Sequence, residues 1–271
     1  MTWLSAALLG VVQGLTEFLP VSSSAHLVLA RALLGWNVEE STFGLAFDVA
    51  LHVGTLLAIL AFFRREIGEI LMAAPNAMSA TQGPGKVARA VVIGTIPIVV
   101  LGAAAGGWLE EHARTPPVIA VTLIVGALWM MLAEWQGSQD RTEESLTSAG
   151  AAVVGVAQAT AIVPGMSRSG STISMAMLLG LTRESAARFS FLLGVPAIAG
   201  AAAKEGLHML RHGGFGAHDV ALFALGMGIS AVVGYLTIRF FLKYLAGHSL
   251  NVFAYYRLAL AAVTIYWLYG R

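Results

Sequence analysis

Almost unbroken runs of Ala, Leu, Val, Ile and Gly lie at roughly 45–63, 88–108, 117–135, 187–203, 219–241 and 251–269. Each is near the ~20 residues that a helix needs to cross a bilayer core of ~30 Å. Small residues within them permit close helix contact. Two further regions, 1–35 and 149–181, are equally apolar but are broken midway by Pro, Gly and clustered Ser. Broken backbone at membrane depth survives only where protein or a water-filled cavity satisfies the freed N–H and C=O groups. Both regions are therefore predicted to be re-entrant helix–loop–helix hairpins. The polar stretches 74–87 and 136–148 are predicted to be aqueous loops. The fold class that follows is an all-α integral membrane protein, with about six transmembrane helices plus two hairpins.

The two broken regions resemble each other. "GVVQGLTEFLPVSSSAHLVLARALLG" runs from Gly10 to Gly35, and "GVAQATAIVPGMSRSGSTISMAMLLG" from Gly155 to Gly180. Both begin G-V-x-Q, reach a proline followed by serines, and close L-L-G after equal lengths. Three spans follow each, so the pattern predicts an internal duplication over approximately 1–135 and 149–271, joined by the linker 136–148 within a single membrane domain. A repeat with an odd number of spans must be inverted, and inverted repeats with paired broken helices hold their site at the repeat interface. Chance similarity between two Ala/Gly/Val-rich segments is the alternative.

Charge predicts orientation. On this topology both termini share a side with Arg31, Arg114, Lys204, Arg211 and Arg271. The other side carries Arg64, Arg65, Lys86, Arg89, Arg141, Arg183, Arg188, Arg239 and Lys243, and the excess marks it as cytoplasmic. Composition agrees with a membrane chain: 57% of residues are hydrophobic and 11% charged, with mean hydropathy +0.76, whereas soluble domains carry about 25% charged residues. The opening "MTWLSAALLGVVQG" lacks the basic region of a cleaved signal peptide. Zero cysteines exclude disulfides, thiolate metal sites and a cysteine nucleophile. With a net charge of +1 and no basic block, nothing points to nucleic acid.

The candidate chemistry sits in the broken regions. Gln13 and Glu17, four apart, share a helical face; Pro20 interrupts, and Ser22, Ser23 and Ser24 precede His26. Plain N-capping accounts for two of those three serines. An ionisable group such as Glu17 inside a membrane segment is a functional candidate. In the second region Gly165 and Gly170 free the backbone, and Ser169, Ser171 or Thr172 can cap the following helix. Such a turn suits an anion, and Arg168 adds a planar donor fork for phosphate oxygens. A bare Arg168–Glu17 salt bridge tying the hairpins together is the simpler alternative, and it would bring the same residues into one site.

The combination points to phosphoryl chemistry. The turn would bind phosphate, and Ser23 or a water would attack phosphorus. His26, three residues on, could act as base or proton relay. Glu17 could hold a divalent cation. Asp48 and His52, an i, i+4 pair, either extend the site or form a local hydrogen-bonded pair. Arg257 is expected to snorkel to the interface. Glu110, Glu111, His112, His208, His212 and His218 are expected in loops. Trp108, Trp135, Trp267 and Tyr269 fit an aromatic belt. "GPGK" at 83–86 lacks the P-loop spacing.

At these stretches the sequence closely resembles the bacterial undecaprenyl-diphosphate phosphatases of the bacitracin-resistance type. "QGLTEFLPVSSSAHL" is similar to that family's (E/Q)xxxE segment with its serines and histidine, and "PGMSRSGST" to its second signature, PGxSRSxxT. "FDVALHVGT" at 47–55 and "RFSFLLGVPAI" at 188–198 extend the resemblance over most of the chain. It implies hydrolysis of undecaprenyl diphosphate to the monophosphate and inorganic phosphate, recycling the lipid carrier for peptidoglycan synthesis and conferring bacitracin resistance. Carried over by motif position, Glu17, Ser23, His26 and Arg168 would be catalytic. Ser167, Ser169, Gly170 and Thr172 would bind phosphate. Glu17, with Gln13 beside it, would hold a divalent metal ion, Mg or Ca. Many members carry glutamate where this chain has the uncharged Gln13. The implied location is the bacterial inner membrane, with the site open to the outer face and membrane lipids as partners. A homo-oligomer is compatible with the sequence. A lipid flippase or transporter is the rival from another class, because inverted repeats around midplane hairpins are transporter architecture.

Overall fold

In a computed structural model the chain is described over residues 1–35, 42–212 and 216–270. Among these residues helices account for the regular structure, apart from one isolated bridge between Arg141 and Leu181. In chain order they are α1 (Trp3–Thr16), α2 (Ser23–Leu34), α3 (Thr42–Phe62), α4 (Arg64–Ala73), α5 (Gly83–Ala113), α6 (Pro116–Gln136), α7 (Ser148–Thr160), α8 (Arg168–Leu178), α9 (Arg183–His212), α10 (Ala217–Leu245) and α11 (Asn251–Tyr269). The six expected spans correspond to α3, α5, α6, α9, α10 and α11.

Length separates these from the hairpin helices. α1, α2, α7 and α8 have 14, 12, 13 and 11 residues, well short of the ~20 needed to cross. Each pair therefore enters the apolar layer and turns back. α1 packs on α10 and α7 on α5, while α3 lies against both α10 and α9, and α6 against α11. Close approach at the two hairpin crossings depends on glycine. A Cβ on Gly10 would lie 2.9 Å from the Gly226 carbonyl oxygen, and one on Gly155 would lie 2.5 Å from that of Gly94. Below the first hairpin, Phe18 meets Phe191 edge to face, and Phe63, Phe241 and Phe253 continue the aromatic layer.

Several expectations are corrected here. After α3 and before the expected loop 74–87, the chain bends by 82° into α4, which the sequence reading does not anticipate and which buries no residue. Its Arg64, Arg65 and Glu69 alternate with Ile67, Ile70 and Leu71, the composition of a helix lying along the membrane surface. α5 begins at Gly83, inside the expected loop 74–87. The linker 136–148 is docked: Asp140 and Arg141 N–H groups donate to the Gly180 carbonyl at 3.1 and 3.0 Å. Glu110, Glu111 and His112 lie in α5, His208 and His212 in α9, and His218 in α10, rather than in loops. Of these, the side chains of Glu110, Glu111, His208 and His212, like all of Arg271, lie outside the described residues.

Candidate active site

The turns that break each hairpin are built alike. Ser22 and Ser167 both take positive φ, 74° and 71°, a region that non-glycine residues rarely adopt. Each then caps its helix, Ser22 Oγ accepting from Ala25 N–H at 3.4 Å and Ser167 Oγ from Gly170 N–H at 3.1 Å. Each hydroxyl pairs with the serine two residues on, Ser24 at 3.2 Å and Ser169 at 3.3 Å. The cap of α8 is thus Ser167, not Ser169, Ser171 or Thr172. Both helices end before a glycine of positive φ, Gly35 at 66° and Gly180 at 92°. One difference has a simple cause. Gly165 N–H donates to Ser24 Oγ at 3.3 Å, whereas the matching residue in the first turn is Pro20, which has no N–H. Ser169 Oγ donates instead to the Leu19 carbonyl at 3.2 Å.

Where the turns meet, Glu17, 7% exposed, joins both hairpins. Its Oε2 accepts from Ser23 Oγ at 2.6 Å and from Gln13 Nε2 at 3.1 Å. Its Oε1 accepts from Arg168 Nη2 at 3.0 Å. Arg168 Nη1 donates to the Ser190 carbonyl at 3.3 Å. Gly194 of α9 makes room for this guanidinium, since a Cβ there would overlap Nη1 and lie 2.7 Å from Cζ. His52 Nδ1 is 2.8 Å from the Asp48 carbonyl and must donate to it, while Nε2 lies 3.8 Å from Glu17 Oε2. Glu17, Ser23, His52 and Arg168 line a cavity of about 220 Å³, bounded also by Ser22, Ser24, Ser167, Ile98, Ile162 and, from α9, Ala197, Ile198 and Ala201. The cavity therefore offers a hydroxyl against a carboxylate and a guanidinium aimed at the same point, the elements of a phosphate-handling site.

Not every expected residue reaches it. His26 is turned away: its Nδ1 must donate to the Ser22 carbonyl at 2.7 Å, and its Nε2 then accepts from Tyr256 OH at 2.7 Å. Both ring nitrogens are engaged, and His26 is not among the cavity-lining residues. Glu17, not His26, is the group touching Ser23. Ser169, Gly170 and Thr172 lie buried behind the wall; Thr172 Oγ1 bonds the Arg168 carbonyl at 2.8 Å and the Ser190 hydroxyl at 2.6 Å. They support the turn rather than face the cavity. Asp48 does not extend the site. Its carboxylate accepts from Arg31, Nη1 at 3.0 Å and Nη2, and from Arg114 Nη2 at 3.2 Å, and only its carbonyl serves His52.

Arg257 corrects the expectation of snorkelling. It is 0% exposed and donates to the carbonyls of Pro20, Gly165, Met166, Thr122 and Leu123 at 3.0–3.3 Å. Among the described residues it forms no ion pair. A Cβ on Gly126 would overlap its Nη2. One guanidinium thus gathers the carbonyls of both turns and α6, where burial makes an unpaired polar group costly. A charge in the middle of an apolar run was the available sequence signal; its carbonyl partners, scattered over the chain, were not.

The fold and this site define a polytopic α-helical membrane protein whose polar chemistry is assembled where two broken helices meet. The chain belongs to the family described as bacitracin resistance protein BacA, whose model matches residues 6–263. It is 47% identical over 266 residues to an undecaprenyl-diphosphatase of Rubrobacter xylanophilus, covering 96% of each chain. It is 43% identical to that of Alteromonas mediterranea over 272 residues, covering 100% of both, and 39% identical to that of Geobacter metallireducens, again at 100% coverage.

Proposed function

We propose that this chain hydrolyses undecaprenyl diphosphate to undecaprenyl phosphate and inorganic phosphate, the activity for which its relatives are named. The observation that carries the reading is the line Ser23–Glu17–Arg168, at 2.6 and 3.0 Å, on the wall of one cavity. Transport without chemistry is not favoured, as these relatives are named as diphosphatases, and it has no use for a hydroxyl aligned on a carboxylate.

A diphosphate carries more negative charge than Glu17 and competes for Arg168, which then holds the terminal phosphoryl oxygens. Ser23 Oγ attacks the terminal phosphorus as its proton passes to Glu17. The bond from that phosphorus to the bridging oxygen breaks, and undecaprenyl phosphate leaves, its new oxygen taking the proton from Glu17. Water then attacks the phosphoserine, giving a proton to Glu17, which returns it to Ser23 Oγ as phosphate departs. If water attacks directly, Glu17 takes the proton from that water and Ser23 positions it. Catalysis of this kind is chiefly positioning and charge stabilisation.

A divalent cation, Mg or Ca, would be held by Glu17. The Gln13 amide oxygen, buried without a hydrogen-bond partner among the described residues, would join it once the amide turns, because Nε2 is the atom that faces the carboxylate. No cluster of three His, Cys, Asp or Glu that could hold a metal occurs among the described residues, so diphosphate oxygens would complete its coordination. When bound, the ion would neutralise those oxygens. The lysine and arginine distribution supports termini and cavity opening on the outer side of a bacterial inner membrane. Monophosphate released there re-enters the carrier cycle of peptidoglycan synthesis. Lowering the diphosphate pool also removes the form of the carrier that bacitracin binds.

The test is phosphate release from a polyprenyl diphosphate by the purified protein in detergent, with and without Mg or Ca. Metal-dependent release, lost in Glu17→Gln and Arg168→Ala while both remain folded, is the expected result. No release under any metal condition overturns the hydrolase reading. Near-normal turnover in Ser23→Ala assigns the attack to water instead of Ser23.

A further inference from the structure

The two turns share conformation, cap and hydroxyl pairing at positions 145 residues apart, Ser22 with Ser167 and Gly35 with Gly180. On that register Glu17 corresponds to Ile162 and Ser23 to Arg168, and all four line the same cavity. The cavity is therefore built from matched halves with unlike chemistry. The first hairpin and α3 contribute Glu17, Ser23 and His52. Opposite, where the match of Glu17 is Ile162, the wall continues in Ile98 of α5 and Ala197, Ile198 and Ala201 of α9. That wall carries no charged group apart from Arg168 at its inner edge.

Resting on the hydrolase reading above, we propose that Ile162, Ile98, Ala197, Ile198 and Ala201 form the seat of the isoprene units next to the diphosphate and set the enzyme's preference for prenyl over short substrates. A lipid diphosphate needs an ionic end and an apolar end in one cleft, and each half of this cavity matches one of them. The apolar half also leads outward. Ala201 is exposed, and the adjoining Ile96, Val99 and Val100 of α5 face the surroundings. Pro97 and Pro196 stand immediately before Ile98 and Ala197. A helix-interior proline has no N–H to donate, so each wall helix, though continuous, lacks one ladder hydrogen bond at the level of the seat. The prenyl tail exchanges lipid for an equally apolar wall, so little hydrophobic energy is gained. The seat acts by shape, aligning the bridging oxygen against Ser23 and Arg168.

The experiment compares kcat/KM for a long-chain polyprenyl diphosphate with that for short methyl diphosphate, which has no isoprene unit to place in the seat. In Ala201→Trp and Ile98→Trp the long-to-short ratio is expected to fall about tenfold or more, the usual scale of overpacking a fitted site. Val232→Trp, on the exposed face of α10 and away from the cavity, should leave the ratio where it is. An unchanged ratio in both wall variants overturns the seat, whereas a wild-type protein that hydrolyses neither substrate overturns the hydrolase reading instead. A second measurement needs no variant. A prenyl diphosphate with a photoreactive group near its head is expected to label α5 around Ile98 and α9 at 197–201. Labelling confined to α10 or α11 refutes the placement.

Discussion

Gly194→Ala isolates the geometry of the site from the stability of the fold. The added Cβ would overlap Arg168 Nη1 and lie 2.7 Å from Cζ and 3.0 Å from Nη2. Arg168 is gripped at both ends, by the Ser190 carbonyl and by Glu17, so it cannot yield without losing one of these bonds. A charge-assisted hydrogen bond is worth about 1.5–3 kcal/mol, while alanine in a helix interior recovers about 1 kcal/mol over glycine. The net destabilisation should be only about 0.5–2 kcal/mol, by difference of those terms. Misplacing a donor that stabilises developing charge costs about 10²–10³ in kcat. The variant should therefore stay folded, with a small fall in Tm in detergent, and lose phosphate release about a hundredfold or more. Turnover within a few-fold of wild type would refute the assignment of Arg168 as the phosphate clamp, because the guanidinium must leave its present place to admit that Cβ.

Two other outcomes are expected. Arg257→Met removes the shared donor of carbonyls in both turns and α6, and should cost on the order of 3 kcal/mol, from several buried groups losing partners; an unshifted thermal unfolding midpoint in detergent would contradict that role. The chain has no cysteine of its own, so Arg141→Cys gives a single labelling site. An impermeant maleimide should reach it only from the cytoplasmic side of oriented vesicles, and labelling from outside reverses the proposed orientation.

His26 and Arg257 show where sequence reading stopped. His26 stands at i+3 from Ser23, and helical spacing alone permits a contact. Its ring instead reaches back to the Ser22 carbonyl and across to Tyr256, 230 residues away. The positive φ of Ser22 tips the start of α2 so that the carboxylate of the preceding turn, not the imidazole, reaches the Ser23 hydroxyl. Asp48 is a parallel case. Its i, i+4 relation to His52 suggested a side-chain pair, but Arg31 from α2 and Arg114 beyond α5 occupy the carboxylate, and an unpaired buried charge would cost more than the local pair could return. The serines of "PGMSRSGST" are divided by where the helix starts and by burial: Ser167 caps α8 and lines the cavity, whereas Ser169 lies within α8 behind it.

The sequence by itself determined the apolar spans, the two short broken regions between them, and the residue types concentrated at the breaks. Hydropathy, helix length and the cost of charge in a bilayer are local properties, readable over windows of about 20 residues. Only the tertiary structure decided which polar groups meet. Arg168 reaches Glu17 from 151 positions away, Gly194 leaves the space for it, and Arg257 ties together turns that share no sequence neighbourhood. Those choices follow from how two hairpins dock tip to tip, where each buried donor must find an acceptor and each guanidinium a gap of its own size.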